Sequence, residues 1–491
     1  MLPLMILLIL FIAAIIIMAL RTNTAAKKVA IFAHVLAFAL SIVMLTDSAN
    51  EPIRWMLGAE PWNFYVWVTP LDAFMVSLFV GVNLLITWAS LSMMDHELSH
   101  TRIRLHYALV CVLIASLCGI VIFESFFNIF LMVELSTFVA AGIVIIKNKP
   151  ENMRAGFKYL ALSILGSSLI LMGIIILYFL TGYFSMTGIH ASLSQDFIGN
   201  ENAVRNALVF ITLGAALKSA LLPLRIWLPD AHSTAPSPSS AVLSSLVLKA
   251  YIFLYIKILY KSIGADILQS DEVLPLILTV VMVTGVTAML AGSILALLQK
   301  DIKRMIAYSS VSQIGYIFMG IGMGTRLGLF AALFHILVHA ITKAVLFLAA
   351  GSIIGQTHNR TIDKMSGIGI HMPKTMALFT VGALSMVGIP LFIGFNSKWF
   401  FAISMIDSQR MWLLGVLVLS SLLNGSYYLP IVFRAFFGKE ARAAAEINQP
   451  MERPTRELAP ILILGSFIII LAVFGGPIND YIQVGIESIW Q

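Results

Sequence analysis

The sequence predicts an all-α polytopic membrane protein: about fourteen transmembrane helices, two inverted five-helix repeats, and breaks in the seventh and twelfth helices. Composition, the length of the apolar runs and the charge of the loops carry that expectation. Of 491 residues, 59% are hydrophobic and 11% are charged, against roughly 25% charged in a typical soluble domain. A mean hydropathy of +0.95 excludes a soluble globular chain and a disordered one. Apolar runs recur from end to end, each long enough to cross ~30 Å of hydrocarbon.

The expected helices begin near Leu2, Ala30, Leu71, His106, Ser125, Ala155, Val204, Ser239, Val273, Ile302, Leu327, Thr375, Met411 and Ala459. No basic flank precedes the first and no small-residue cleavage site follows it, so it is expected to be retained rather than removed as a signal peptide. Loops after odd-numbered helices hold 21 Lys/Arg, whereas the opposite loops and the C-terminal tail hold only Arg54, Arg205, Lys261, Arg326 and Arg410. That asymmetry places the odd loops in the cytoplasm and both termini outside. The organisation that follows is 1–105 for helices 1–3, 106–262 and 273–437 for the two repeats, and 459–491 for the last helix. LLPL at 221–224 and GIPL at 388–391, 167 residues apart, suggest the repeat. Five helices per unit would invert the second copy.

Cys111 and Cys118 lie in one apolar run and form no CxxC, which excludes a disulfide scaffold and an iron–sulfur or zinc ligand set. The net charge of +7 sits largely in short loops, where it reads as topology rather than as a nucleic-acid surface. No GxGxxG, P-loop or redox-ligand pattern occurs, so no cofactor is expected.

Five basic residues remain within or close to the spans: Lys218, Lys249, Lys257, Lys343 and Lys398. Glu134 is the one acid expected well inside a span, with Asp72 and Glu124 at span edges. A charge at the centre of a membrane helix costs ~2.5–3.5 kcal/mol even on the lenient scale, so this imbalance points to function. The eleventh helix reads LFHILVHAITKAVLFLAAG. There His335, His339 and Lys343 recur at i, i+4 and i+8, stacked on one face ~6 Å apart. Neutral histidine donates from one ring nitrogen and accepts at the other, so such a row can pass protons through intervening water. Two core histidines beside a snorkelling lysine is the structural alternative, opposed by the mid-span place of Lys343. Haem fits poorly, because two histidines one turn apart cannot bind opposite sides of one iron. Zinc lacks its further ligands, so no metal is expected.

Pro223 and Pro229 follow Lys218 in LKSALLPLRIWLPDAH, and Gly388, Pro390 and Gly394 precede Lys398 in GIPLFIGFNSKWF. Proline breaks a helix, and broken helices deep in a membrane are tolerated where they line a wet cavity or a protein-buried site. Lys249 lies near the middle of the eighth helix and reads as functional. Lys257, near its outer end, reads as an anchor whose loss should do little.

Together these residues resemble the proton-conducting membrane transporter family, comprising antiporter-like subunits of respiratory complex I, of membrane-bound hydrogenases and of Mrp-type multisubunit cation/proton antiporters. The motifs are FLMVELS, LKSALLPLRIWLPDAHSTAPSPSSAVLSSLVLK, HILVHAITKAVLF and GIPLFIGFNSKWF, in order between residue 130 and about 400. The resemblance implies that Glu134 pairs with Lys218, and that protons pass by Lys249, His335, His339 and Lys343 to Lys398. It implies a fourteen-helix core in a cell membrane, surrounded by lipid. It also implies partner membrane subunits, both homologous antiporter-like ones and small ones, with sodium transport left open. Some members end the twelfth helix with glutamate where this chain has Lys398. In length the chain is nearest the Mrp D-type subunit, and no long lateral helix follows the fourteenth. Driving energy would come from partner subunits or an ion gradient. Two other readings stay open: a free-standing secondary solute carrier, and a passive scaffold whose lysines only balance charge.

Overall fold

The computed structural model describes residues 1–58, 64–437 and 452–490. The chain is almost wholly helical, and helices stand at all the expected starts. They are α1 (Leu2–Ala19), α2 (Asn23–Asn50), α3 (Pro70–Glu97), α4 (His100–Ile122), α5 (Phe126–Ile145) and α6 (Pro150–Thr181). α7 is two pieces, α7a (Glu201–Lys218) and α7b (Leu228–Thr234). Next come α8 (Ser237–Ile263), α9 (Leu274–Leu297), α10 (Ile302–Gly322) and α11 (Arg326–Thr357). α12 is again split, into α12a (Pro373–Val387) and α12b (Ile393–Asp407). α13 (Trp412–Phe437) and α14 (Thr455–Val473) follow, and shorter helices cover Met186–Asp196, Ala265–Ser270 and Gly476–Glu487. Among the described residues eleven helices are long and apolar enough to cross a membrane; α7, α10 and α12 fall outside that number. Two of the three are interrupted, and α10 carries the polar run YSSVSQ.

Burial sorts the helices into layers. α8 is buried throughout its span, and so is the central stretch of α11, whereas most of α1, α2, α6 and α14 is left open on the outside. α9 and α10 approach closely through glycine: a Cβ on Gly315 would stand 2.5 Å from the Gly285 carbonyl, and one on Gly285 would stand 2.7 Å from that of Gly315. Small residues at helix crossings let backbones pack where apolar lipid supplies no hydrophobic drive.

Two placements, those of Pro229 and Gly394, correct the sequence reading, and a short hairpin adds to it. In that hairpin β1 (Ile53–Leu57) pairs antiparallel with β2 (Phe64–Val68), Ile53 facing Val68. The second strand, FYVWV, is aromatic and β-branched, which suits a pleated edge. Pro229 does not break α7; it occupies the first turn of α7b, where a missing N–H costs nothing. Gly394 likewise lies inside α12b, and a Cβ there would collide with the Ser385 carbonyl. The breaks themselves are 219–227, which holds Pro223, and 388–392, which holds Gly388 and Pro390.

One hydrogen-bond pattern recurs. Ser125 bridges Ser185, and Asp301 bridges Thr361, positions that lie 176 residues further on. Phe126 N donates to Phe184 O at 2.9 Å and Ile302 N to Arg360 O at 3.0 Å, with the same offset. The junctions before α5 and α10 are thus built alike.

Candidate functional site

His335, His339 and Lys343 all lie buried in α11. The rings of His335 and His339 stack with centroids 6.2 Å apart and planes 15° from parallel. His335 Nδ1 lies 2.7 Å from Ser397 Oγ, and its ring lies on that of Tyr316 at 5.3 Å. His335 Nε2 and both nitrogens of His339 meet no hydrogen-bond partner among the described residues. Lys343, one turn on, donates to Ile306 O at 3.0 Å, to Ser309 Oγ, and to Tyr428 Oη at 3.4 Å.

Lys249 is on the facing central helix. Residues 243–247 of α8 form a π-helical turn, a widening common at functional sites. Within it, Ser244 O accepts the Lys249 ammonium. Ser244 Oγ also sits 3.0 Å from Ser310 Oγ. Since Ser310 adjoins Ser309, a pair of α10 hydroxyls links the surroundings of Lys249 to those of Lys343. The sequence reading overlooked these serines, although YSSVSQ was the signal for them.

Lys218 sits at the end of one broken helix, and the ammonium of Lys398, from inside α12b, reaches the end of another. Lys218 is the last residue of α7a, and Lys398 Nζ reaches back to Val387 O, at the end of α12a, at 2.6 Å. Unpaired carbonyls at a helix C-terminus carry partial negative charge, which favours a cation there. Ser421 Oγ also accepts from Lys398 at 2.8 Å. Lys218 donates to Thr137 Oγ1 at 2.5 Å and lies 4.7 Å from the centre of the Tyr251 ring. Among the described residues it makes no direct ion pair with Glu134; Thr137 stands one turn beyond that carboxylate, which is half-buried and acts from further away.

Two predicted assignments fail. Lys257 is not an anchor at the interface: it is 0% exposed and its ammonium lies 3.1 Å from Asp72 Oδ1, itself fully buried. Lys261, counted above as a loop residue, is in α8 and pairs with buried Glu124 at 2.6 Å. Two of the buried lysines therefore have carboxylates of their own. The sequence reading also missed His232 in α7b. It is fully buried, neither ring nitrogen has a partner among the described residues, and the charges of Lys249 and Lys343 act on it.

The buried lysines thus fall into two chemical kinds. Lys257 and Lys261 are matched by the carboxylates of Asp72 and Glu124. Lys218, Lys249, Lys343 and Lys398 are held by hydroxyls and carbonyls, so losing a proton leaves no orphaned anion behind. The two histidines between Lys343 and Ser397 can accept on one nitrogen while donating from the other. Among the described residues no three His, Cys, Asp or Glu side chains gather to hold a metal ion.

Residues 123–424 match the family described as NADH:quinone oxidoreductase/Mrp antiporter, transmembrane. The chain is 30% identical over 462 residues to NADH-quinone oxidoreductase subunit N of Desulforudis audaxviator, covering 90% of this chain and 91% of that one. It is 28% identical to a Na(+)/H(+) antiporter subunit of Alkalihalophilus pseudofirmus, covering 89% of this chain but 55% of that longer protein. Two solved structures share the fold, each with a TM-score of 0.88 over the whole chain. One is in an archaeal membrane-bound sulfane sulfur reductase complex, at 24% identity and 96% of that chain. The other is in the Mrp complex of Dietzia sp. DQ12-45-1b, at 22% identity and 97% of that chain.

Proposed function

We propose, from the premise that the chain belongs to the NADH:quinone oxidoreductase/Mrp antiporter transmembrane family, that it is the proton-translocating subunit of a multisubunit membrane complex. The observation that carries this reading is the run of buried Lys249, Lys343, His339, His335 and Lys398 along the two innermost helices and into the break of α12. The route starts from Lys218 and passes Lys249, the serines of α10, Lys343, His339 and His335, then Ser397 to Lys398. A proton arriving at one buried lysine raises the electrostatic cost of a charge on the next, so separating or closing the groups around Lys218 and Glu134 can drive a proton forward. Partner membrane subunits, homologous or small, would supply that drive. Sodium could be the exchanged ion. The side bearing the basic loops is the cytoplasmic one in this reading, with both termini outside the cell membrane. The relatives are named as subunits, which gives a free-standing solute carrier no matching support.

Lys249→Gln tests the route. The complex should still co-purify, but proton movement in inverted vesicles should fall roughly 10²-fold or more, the scale of a lost proton-transfer group. Lys249→Arg should not restore it, since a guanidinium stays protonated. Wild-type flux in either variant would remove Lys249 from the route.

Gly388 offers a gentler test of the far end. Its φ is +89°, and a Cβ there would stand 2.6 Å from Lys398 Cδ. Gly388→Ala should therefore displace the ammonium from Val387 O and lower proton flux in an assembled complex. Unchanged flux would mean that the position of Lys398 at the end of α12a does not matter.

A further inference from the structure

A cavity of about 410 Å³ lies between α2, α3, α11, α14 and the short helix Gly476–Glu487. It is elongated along the helices. On α3 its wall extends from Ser77 to Leu85, and on α14 from Ile463 to Leu471. Each stretch is ~12 Å at the rise of an α-helix. Leu85 and Ile341 lie halfway along α3 and α11, whereas Leu471 and Ile478 flank the end of α14. The cavity therefore runs from one end of the bundle to its mid-depth. That length is close to the ~15 Å that one leaflet contributes to ~30 Å of hydrocarbon. Ile463 and Phe467 on its rim are exposed, and Leu464 and Ile341 on its floor are buried.

The wall is almost wholly apolar. Among the described residues Ser77 supplies its one polar side chain, and that hydroxyl already donates to Ser41 O at 3.0 Å. A trapped water needs 2–4 polar partners, so solvent has no hold there. Left empty, the space would forfeit the dispersion contacts of its lining. Lipid tails are as apolar as these side chains, and they stand beside α2 and α14, which are largely open on the outside. A membrane helix of a partner is a poorer fit, because it is ~10–12 Å wide and would not stop at mid-depth. A lipid headgroup finds nothing to bind inside, so only a chain suits the cavity.

We propose that one acyl chain of a membrane phospholipid occupies this cavity, with its headgroup at the end of α14 and its methyl end against Ile341 of α11. The site rests on the membrane-spanning fold and is independent of the proton route. Ile341 lies between His339 and Lys343 in sequence, about 200° around the helix from each. The chain thus packs on the face of α11 opposite the stripe. It brings bilayer lipid to a helix whose central stretch is otherwise enclosed by protein.

Photolabelling of the whole complex tests this. The vesicles are phosphatidylethanolamine and phosphatidylglycerol, with a trace of phosphatidylethanolamine carrying a diazirine at the end of one chain. Illumination followed by peptide mapping should find adducts on α11 at Ile341, which chains remaining outside the cavity do not reach. A diazirine next to the headgroup should move the adducts to Leu471 and Ile478. Label confined to exposed positions, such as Phe32 of α2 and Phe467 of α14, would overturn the site. Leu471→Trp narrows the entrance and should abolish the α11 adduct while leaving those on exposed Phe157 and Phe179 of α6 unchanged. An undiminished α11 adduct in that variant would overturn entry at the end of α14; if the variant fails to assemble, the labelling of the parent still decides. A partner polypeptide crosslinked to a photoreactive residue at Leu85 would give the cavity to a neighbouring subunit and overturn the lipid.

Discussion

Replacing Lys257 with alanine should leave little folded protein to assay, whereas the sequence alone expects almost no effect. The ammonium is fully enclosed, 3.1 Å from Asp72 Oδ1 and 2.7 Å from Val121 O. One turn on, Lys261 pairs with Glu124 at 2.6 Å and lies 4.6 Å from the centre of the Trp67 ring. Alanine would strand a buried carboxylate, and breaking such a pair from one side costs about 3–5 kcal/mol. Whole-domain stabilities are only about 5–15 kcal/mol. Asp72 is not free to relax, because its Oδ2 accepts from both the amide and the hydroxyl of Thr69 to cap α3. Asp72→Asn combined with Lys257→Met removes both charges and should recover most of the lost stability, as neutral replacements of buried pairs often do. Yield and thermal unfolding of the detergent-solubilised complex are the measurements. A Lys257→Ala protein as stable as the parent would mean that the pair contributes nothing, and the anchor reading would return.

The misreading of Lys257 shows where hydropathy stops being informative. A window along one helix gives depth in the membrane, but not which neighbour faces a charge. Asp72 and Glu124 came to Lys257 and Lys261 from the starts of other segments, α3 and the α4–α5 junction, and the β1–β2 hairpin closes over them through Tyr65 O and Glu124 N at 2.8 Å. None of that has a local signature. The α11 stripe was legible because helical periodicity alone fixes it, and the observed 6.2 Å ring spacing follows from the i, i+4 rise. The breaks were legible in place but not in detail: Pro223 and Pro390 do lie in them, while Pro229 and Gly394 serve the helices that follow. His232 was hidden because a lone histidine in a turn-rich segment has no periodic partner. Ser244, Ser309 and Ser310 were hidden by chemistry, since serine is unremarkable until a lysine is found bonded to its oxygen.

Thr137→Val should cut proton flux at least as deeply as Glu134→Gln, roughly 10- to 100-fold, in a complex that assembles normally. The resemblance pairs Glu134 directly with Lys218, but the ammonium bonds Thr137 Oγ1 at 2.5 Å and is otherwise faced by the Tyr251 ring. Valine keeps the shape of threonine and removes the one oxygen that, among the described residues, bonds the buried cation. A hydrogen bond to a charged group is worth about 1.5–3 kcal/mol, which is the 10- to 100-fold just given. Glu134→Gln removes only a longer-range attraction in this geometry, although it should still leave an assembled complex deficient in translocation. Thr137→Ser keeps the hydroxyl and should stay near the parent flux, which separates solvation of the lysine from packing of α5 against α7a. The revealing outcome would be a fully active Thr137→Val beside a dead Glu134→Gln. It would mean that the lysine works from a second position, swung one turn along α5 onto the carboxylate. The contact with Thr137 would then be the resting end of that swing rather than the working one.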